Sequence, residues 1–209
     1  MIGLLRKDLY VTGRYSLLML VLSLGISLLP KMENMGTTYP AMVAFLMPLY
    51  AFTYDERCKW DRYAAMLPYR REQIVWSKYI ISCIYIVLVE ITIFLSALFR
   101  DLIRPGSVDW VWTLKTNALV LVMMLLINAF EIPILYRFGA EKGRLVVSLI
   151  LAAGLFAILG IWFALLRSEL RLPPAAAAGM VALPIALSFA SFRLSVHFYK
   201  KRRNGDYDT

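Results

Sequence analysis

Histidine occurs once in this chain, as His197, and cysteine twice, as Cys58 and Cys83. A single histidine where an apolar run meets a basic tail cannot found a histidine metal site or a Ser-His pair. Cys58 falls in a charged loop and Cys83 near the start of an apolar run, which reads as free thiols rather than a disulfide framework. No G-x-x-x-x-G-K-[ST] phosphate loop is present, and Gly139-Ala140-Glu141-Lys142-Gly143-Arg144 has the wrong order and spacing for one. These absences predict a chain that is not an enzyme, holds no metal and binds no cofactor of its own. Acids are also scarce: 14 Asp and Glu stand against 23 Lys and Arg, a net charge of +9. Long polar stretches are missing too. The longest non-apolar segment, Asp55 to Lys78, leaves no room for a separate soluble domain.

What is abundant is apolar surface. Hydrophobic residues make up 60% of the 209, and the mean hydropathy of +0.65 is too high for a soluble domain of this length. Six apolar segments stand out: Tyr15–Leu29, Tyr39–Tyr54, Tyr79–Phe99, Thr116–Tyr136, Leu145–Leu166 and Ala175–Val196. The last four are each long enough to cross a hydrocarbon core as a helix, and the shorter first two need polar ends or neighbours to do so. With the N-terminus inside, 17 of the 23 basic residues fall on the cytoplasmic side. The expected fold is therefore all-α and polytopic, with six transmembrane helices and both termini inside. Topology and anionic headgroups account for the net charge, so no nucleic-acid partner is implied. The charged start resembles a signal sequence, but Ser27-Leu28-Leu29-Pro30-Lys31 lacks a small-residue cleavage pattern, which predicts an uncleaved first span.

Residues 1–209 read as one transmembrane domain. Residues 1–14 form an amphipathic lead-in with Ile2, Leu5 and Leu9 on one side, expected to lie along the inner interface. The plainer reading is a positively charged flank. Residues 200–209 form a basic cytoplasmic tail. Between spans three and four, Pro105-Gly106 signals a turn, and Trp110 and Trp112 fit interfacial anchoring. Small residues line one face of span five (Ala153, Ala157, Gly160, Ala164) and of span six (Ala175, Gly179, Ala182, Ala186, Ala190), which suits close helix packing.

Two places invite a functional reading. The first is the loop over 55–78, which breaks at Leu67-Pro68. Read as a helix, Asp55 to Leu67 puts Trp60, Tyr63, Ala64 and Leu67 on one stripe and charges opposite. A loop that only reversed the chain would need no such pattern. Aromatics supply interface anchors and charges supply the rim. Asp55, Glu56, Arg57, Lys59, Trp60, Tyr63, Leu67, Arg70 and Arg71 are therefore the candidate docking residues. Headgroup binding is the competing reading, and the acids Asp55, Glu56 and Asp61 argue against it because they would repel an anionic leaflet. The second place is intramembrane. Glu90 is central in span three, and Asn128 and Glu131 lie three residues apart in span four. A carboxylate in mid-membrane costs about 2–4 kcal/mol, so such residues face protein or water and are functional candidates, with a structural hydrogen-bonded pair as the alternative.

Two stretches give the chain a family likeness. Asp55-Glu56 through Trp60 to Leu67-Pro68-Tyr69-Arg70-Arg71, continuing to Lys78-Tyr79, is similar to the acidic, aromatic coupling segment of half-size ABC-2 exporter permeases. Pro133-Ile134-Leu135-Tyr136-Arg137-Phe138-Gly139-Ala140-Glu141-Lys142-Gly143-Arg144 resembles the same family's turn between spans four and five. Within that family the chain looks like the small-permease branch of phenol-soluble modulin, bacitracin and lantibiotic export or immunity systems. The resemblance implies two permease copies, identical or paralogous, and two cytoplasmic ABC ATPase subunits that hold the ATP and Mg and dock on the loop after span two. It also implies a multi-pass protein of a bacterial plasma membrane that exports amphipathic peptides or hydrophobic antibiotics. The readings from other classes are a proton-driven secondary carrier with Glu90 as relay, and a non-transporting immunity or scaffold protein.

Overall fold

The computed structural model describes the backbone of residues 2–27, 29, 35–106, 108–167 and 174–205, and the side chains of most of these outside 150–183 and 201–205. The small-residue stripes of spans five and six thus fall almost wholly outside the described side chains, as do residues 206–209 of the basic tail. The described residues form six α-helices and no strand: α1 Ile2–Ser27, α2 Met35–Arg57, α3 Trp60–Met66, α4 Arg71–Ile103, α5 Trp110–Arg167 and α6 Pro174–Gly205.

Helix α1 is built inside out relative to a helix of a water-soluble bundle. On α1 the buried residues Leu4, Asp8, Thr12, Ser16 and Ser23 form a mostly polar stripe at spacings of four and seven, while Leu17, Leu18, Val21 and Leu22 are exposed. Serine and threonine hydroxyls on that stripe return to their own helix, as from Thr12 Oγ1 to the Asp8 carbonyl at 2.7 Å and Ser23 Oγ to the Leu20 carbonyl at 2.7 Å. The Thr12 hydroxyl also bonds the hydroxyl of Tyr85 on α4. Helix α4 buries Ser77, Lys78, Ser82, Thr92 and Ser96 alongside apolar residues such as Ile81, Tyr85 and Val89, and exposes Val87, Ile91, Phe94 and Phe99. Polar groups turned inward and large apolar groups turned outward suit hydrocarbon as solvent. Among the described residues, three helices are long and apolar enough to cross a membrane: Ile2–Ile26, Arg71–Ile103 and Trp110–Leu149.

Several expected boundaries shift. The lead-in over 1–14 is not a separate helix, because residues 2–27 form one helix. No proline interrupts it, and Asp8 and Thr12, which would have to bend away, are buried against neighbours. Ile2 and Leu9 face outward on it, and Leu4 is buried. Helix α2 is central, packing against α1, α4 and α5. It accommodates Pro40 and Pro48, both fully buried.

The expected single helix from Asp55 to Leu67 is broken at Cys58-Lys59. Residues 55–57 belong to the last turn of α2, and α3 starts at Trp60. The break is made by Lys59, which takes left-handed angles (φ 50°, ψ 41°) and donates its N–H to the Glu56 carbonyl at 3.1 Å. A left-handed residue usually announces itself as glycine, and lysine here hides it. Lys59→Gly should therefore stabilise the fold by about 0.5–1 kcal/mol, measured as a rise in thermal midpoint in detergent. No rise would mean that the lysine side chain contributes as much as the strain costs. Helix α3 ends where expected: Leu67 is extended (φ −89°, ψ 150°), as the residue before Pro68 must be. Helix α4 then begins with the Gln73 side chain accepting the Arg70 N–H at 3.1 Å.

The turn expected over 133–144 contracts to one residue. Gly139 (φ 78°, ψ 174°) divides α5 into helical stretches 110–138 and 140–167. The chain folds back tightly there, for a Cβ on Gly143 would lie 3.0 Å from the Leu135 side chain.

Candidate functional site

The end of the bundle that carries α3 holds a compact charged cluster. Asp8 on α1 and Asp55 on α2 face Lys7 on α1 and Lys78 on α4. Lys7 Nζ lies 3.0 Å from Asp8 Oδ1 and 2.5 Å from Asp55 Oδ1. Lys78 Nζ lies 3.0 Å from Asp8 Oδ1 and 2.6 Å from Asp55 Oδ2. Each cation thus bridges both acids, the four charges sum to zero, and three helices are tied at one point. Lys78 and Asp8 are buried, with side-chain exposures of 5% and 2%. Aromatic faces close the cluster: Lys7 Nζ is 4.2 Å from the Trp60 ring centroid and Lys78 Nζ 5.3 Å from that of Phe52. An aromatic column continues from Phe52 to Tyr136 (centroids 4.8 Å apart) and on to Tyr199 (5.5 Å), joining α2, α5 and α6. A cavity of about 30 Å³ lies between this column and the cluster, lined by Asp55, Glu56, Lys78, Tyr136 and Tyr199 among others.

The predicted docking residues therefore divide. Asp55 and Glu56 spend their carboxylates on contacts within the chain, and Trp60 is half-buried over Lys7 against the same core that includes Leu4, Ala64 and Val75. Tyr63, Met66 and Leu67 are exposed on α3 and its C-terminal edge, flanked by exposed Arg57, Lys59, Arg62 and Arg70, with Arg71 half-buried. The expected single stripe divides: Trp60 and Ala64 turn to the core while Tyr63 and Leu67 are exposed. Met66, 84% exposed, is an addition the stripe did not contain.

Glu56 reaches a different element. Its Oε2 accepts the Ala140 N–H at 2.7 Å, at the first residue of helix 140–167. A Cβ on Gly139 would lie 2.7 Å from Glu56 Oε1 and push the carboxylate aside, and the φ of 78° itself favours glycine. Beside this contact an open groove of about 390 Å³ is lined by Thr53, Glu56, Arg57, Ala140, Glu141 and Arg144.

The intramembrane candidates also separate. Glu90 is half-buried on α4, and its Oε1 is buried without a hydrogen-bond partner among the described residues. Glu131 is wholly buried, and neither of its carboxyl oxygens has such a partner. Asn128 donates from Nδ2 to the Met124 carbonyl at 2.9 Å, leaving Oδ1 buried and unmatched among the described residues. Asn128, Glu131 and Leu135 share one inward stripe of α5 with Met124. The described residues hold no group of acids, histidines and cysteines fit for a metal ion.

Inward polar stripes, outward apolar faces and helices of spanning length define an integral membrane protein of the all-α class. Residues 3–200 match the family described as ABC-2 family transporter protein, and the chain belongs to that family. Its members are membrane components rather than ATPases, and membership implies association with an ATP-binding subunit. No curated protein and no solved structure matches the chain.

Proposed function

We propose that this chain is the permease half of an ATP-driven exporter and that its ATPase docks on the exposed face of α3. The reading is carried by one observation. Tyr63, Met66 and Leu67 stand exposed on a short helix whose other face is seated on the core beside the charged cluster. An exposed apolar and aromatic patch rimmed by basic residues is the composition of a protein interface. In this reading the α3 end is cytoplasmic, six spans cross the membrane with both termini inside, and the stretches of α5 on either side of Gly139 are spans four and five. Asp55, Glu56 and Trp60 support the docking surface from behind, while Arg57, Lys59, Arg70 and Arg71 set its rim. Two permease copies and two ATPases in a bacterial plasma membrane would form the working exporter. Its cargo would be amphipathic peptides or hydrophobic antibiotics, moved by alternating access as the ATPases close.

Tyr63→Ala combined with Leu67→Ala tests the docking surface. Truncating two interface anchors costs about 2 kcal/mol or more, or roughly thirtyfold in Kd. The ATPase should fail to co-purify with the variant, and transport-coupled ATP turnover should fall with it. Full retention of both, in a chain that still folds and inserts, would move the docking surface elsewhere.

A further inference from the structure

We infer that Glu56 is a positioning residue: its carboxylate fastens the α2–α3 junction to the first turn of helix 140–167 across Gly139. The two partners are 84 residues apart in sequence and meet at 2.7 Å, carboxylate oxygen to backbone N–H. Three features make this a fitted contact. The acceptor is charged and the donor is a free N–H at the start of a helix, where the macrodipole favours an anion. The chain breaks its helical angles at the residue before that donor, which frees the N–H. That residue is a glycine at φ 78°, where a Cβ would push the carboxylate aside.

The neighbouring residues give the fastening its meaning. Glu56 follows Asp55, which is held by Lys7 and Lys78, and precedes the left-handed Lys59 that launches α3. Asp55 therefore links the junction to α1 and α4, while Glu56 alone of the pair reaches helix 140–167. A displacement of α3 has a short route to the start of that helix, and the Glu56–Ala140 hydrogen bond lies on it beside the Phe52–Tyr136 ring contact. Resting on the docking surface proposed above, Glu56 would transmit ATPase closure to the second stretch of α5.

Spin-label distance measurements on the full chain in lipid nanodiscs test this, with Cys58 and Cys83 replaced by serine. Labels at exposed Arg62 and Leu145 report the fastening without nucleotide. The unsubstituted junction should give one narrow distance distribution. Glu56→Ala and Gly139→Ala should each broaden or split it, and their combination should be no worse than the worse single change. Glu56→Gln keeps an acceptor oxygen and should restore the narrow distribution, a rescue that general destabilisation would not give. A distribution as narrow in Glu56→Ala as in the parent overturns the inference. A second pair at exposed Tyr10 and Leu149 reads transmission in the complex with co-purified ATPase, normalised to the ATPase bound. ATP with Mg should shift this distance in the parent and not in Glu56→Ala. An equal shift in both overturns the transmission role. A parent that carries the ATPase yet does not respond overturns the exporter reading, and the fastening is then decided by the nucleotide-free pair.

Discussion

Lys78→Met should destabilise this protein by about 3–5 kcal/mol, the largest loss expected from any single change in the α3 end. Lys78 is buried, and its ammonium touches both acids of the cluster at 3.0 and 2.6 Å. Methionine matches its length and removes its charge, so the loss is electrostatic rather than a packing void. Asp8, 2% exposed, and Asp55 would then share the single cation of Lys7. Removing one partner of a buried pair leaves a desolvated charge uncompensated, which costs far more than the pair itself is worth. That asymmetry supplies the control. Adding Asp8→Asn to Lys78→Met restores neutrality and should recover most of the loss, a coupling readable as a double-mutant cycle. Unfolding in detergent, followed by helical circular dichroism, measures both. A single variant as stable as the parent would show that water reaches the cluster and screens it.

Glu131→Leu should do the reverse, raising stability by about 1–3 kcal/mol. Its carboxyl group is wholly buried, and neither oxygen is hydrogen-bonded among the described residues. Leucine is of similar size, and the neighbouring buried Ile132 and Leu135 form an apolar setting for it. A polar group that costs stability where it stands is held there by use, so the stabilised variant should lose export. Protection of cells against amphipathic peptides would report that loss alongside the rise in thermal midpoint. Glu131→Leu destabilised relative to the parent would show that the carboxyl has a partner and is structural.

The apolar runs fall in α1, α2, α4, α5 and α6, two of them sharing α5, but hydropathy could not say which side of a helix faces the protein. On α1 the sequence pattern put Ile2, Leu5 and Leu9 on a side meant for the membrane interface and did not mark the polar line through Asp8, Thr12 and Ser16 as the buried one. In a lipid solvent, large apolar residues are as content outside as inside, so apolarity loses its power to mark a core. The same limit applies to the acids: Glu90 is central in its apolar run yet half-buried, whereas Glu131 is wholly buried. Centrality in an apolar run says how far water is along the helix, while burial depends on which neighbours pack across it. The α3 boundary was hidden because lysine occupies a left-handed position at residue 59. The two acids Asp55 and Glu56 were legible as important and were aimed at a partner, whereas both turn to residues 48 and 84 positions away. Only the Gly139 turn offered a local signal for its role, a Phe-Gly-Ala step with a basic flank between two apolar stretches.

The continuity of α1 from residue 2 to residue 27 makes it a lever. Its fulcrum is the charged cluster at Lys7 and Asp8, near one end. From there to Ser27 the rod extends about 28 Å at 1.5 Å per residue, so a tilt of about 10° at the fulcrum carries the far end through about 5 Å. Thr12, Ser16 and Ser23 would sweep past α2 and α4 in proportion to their distance from the fulcrum. A small rearrangement of two lysines and two aspartates would thus become, at the far end of the rod, a displacement the width of a side chain.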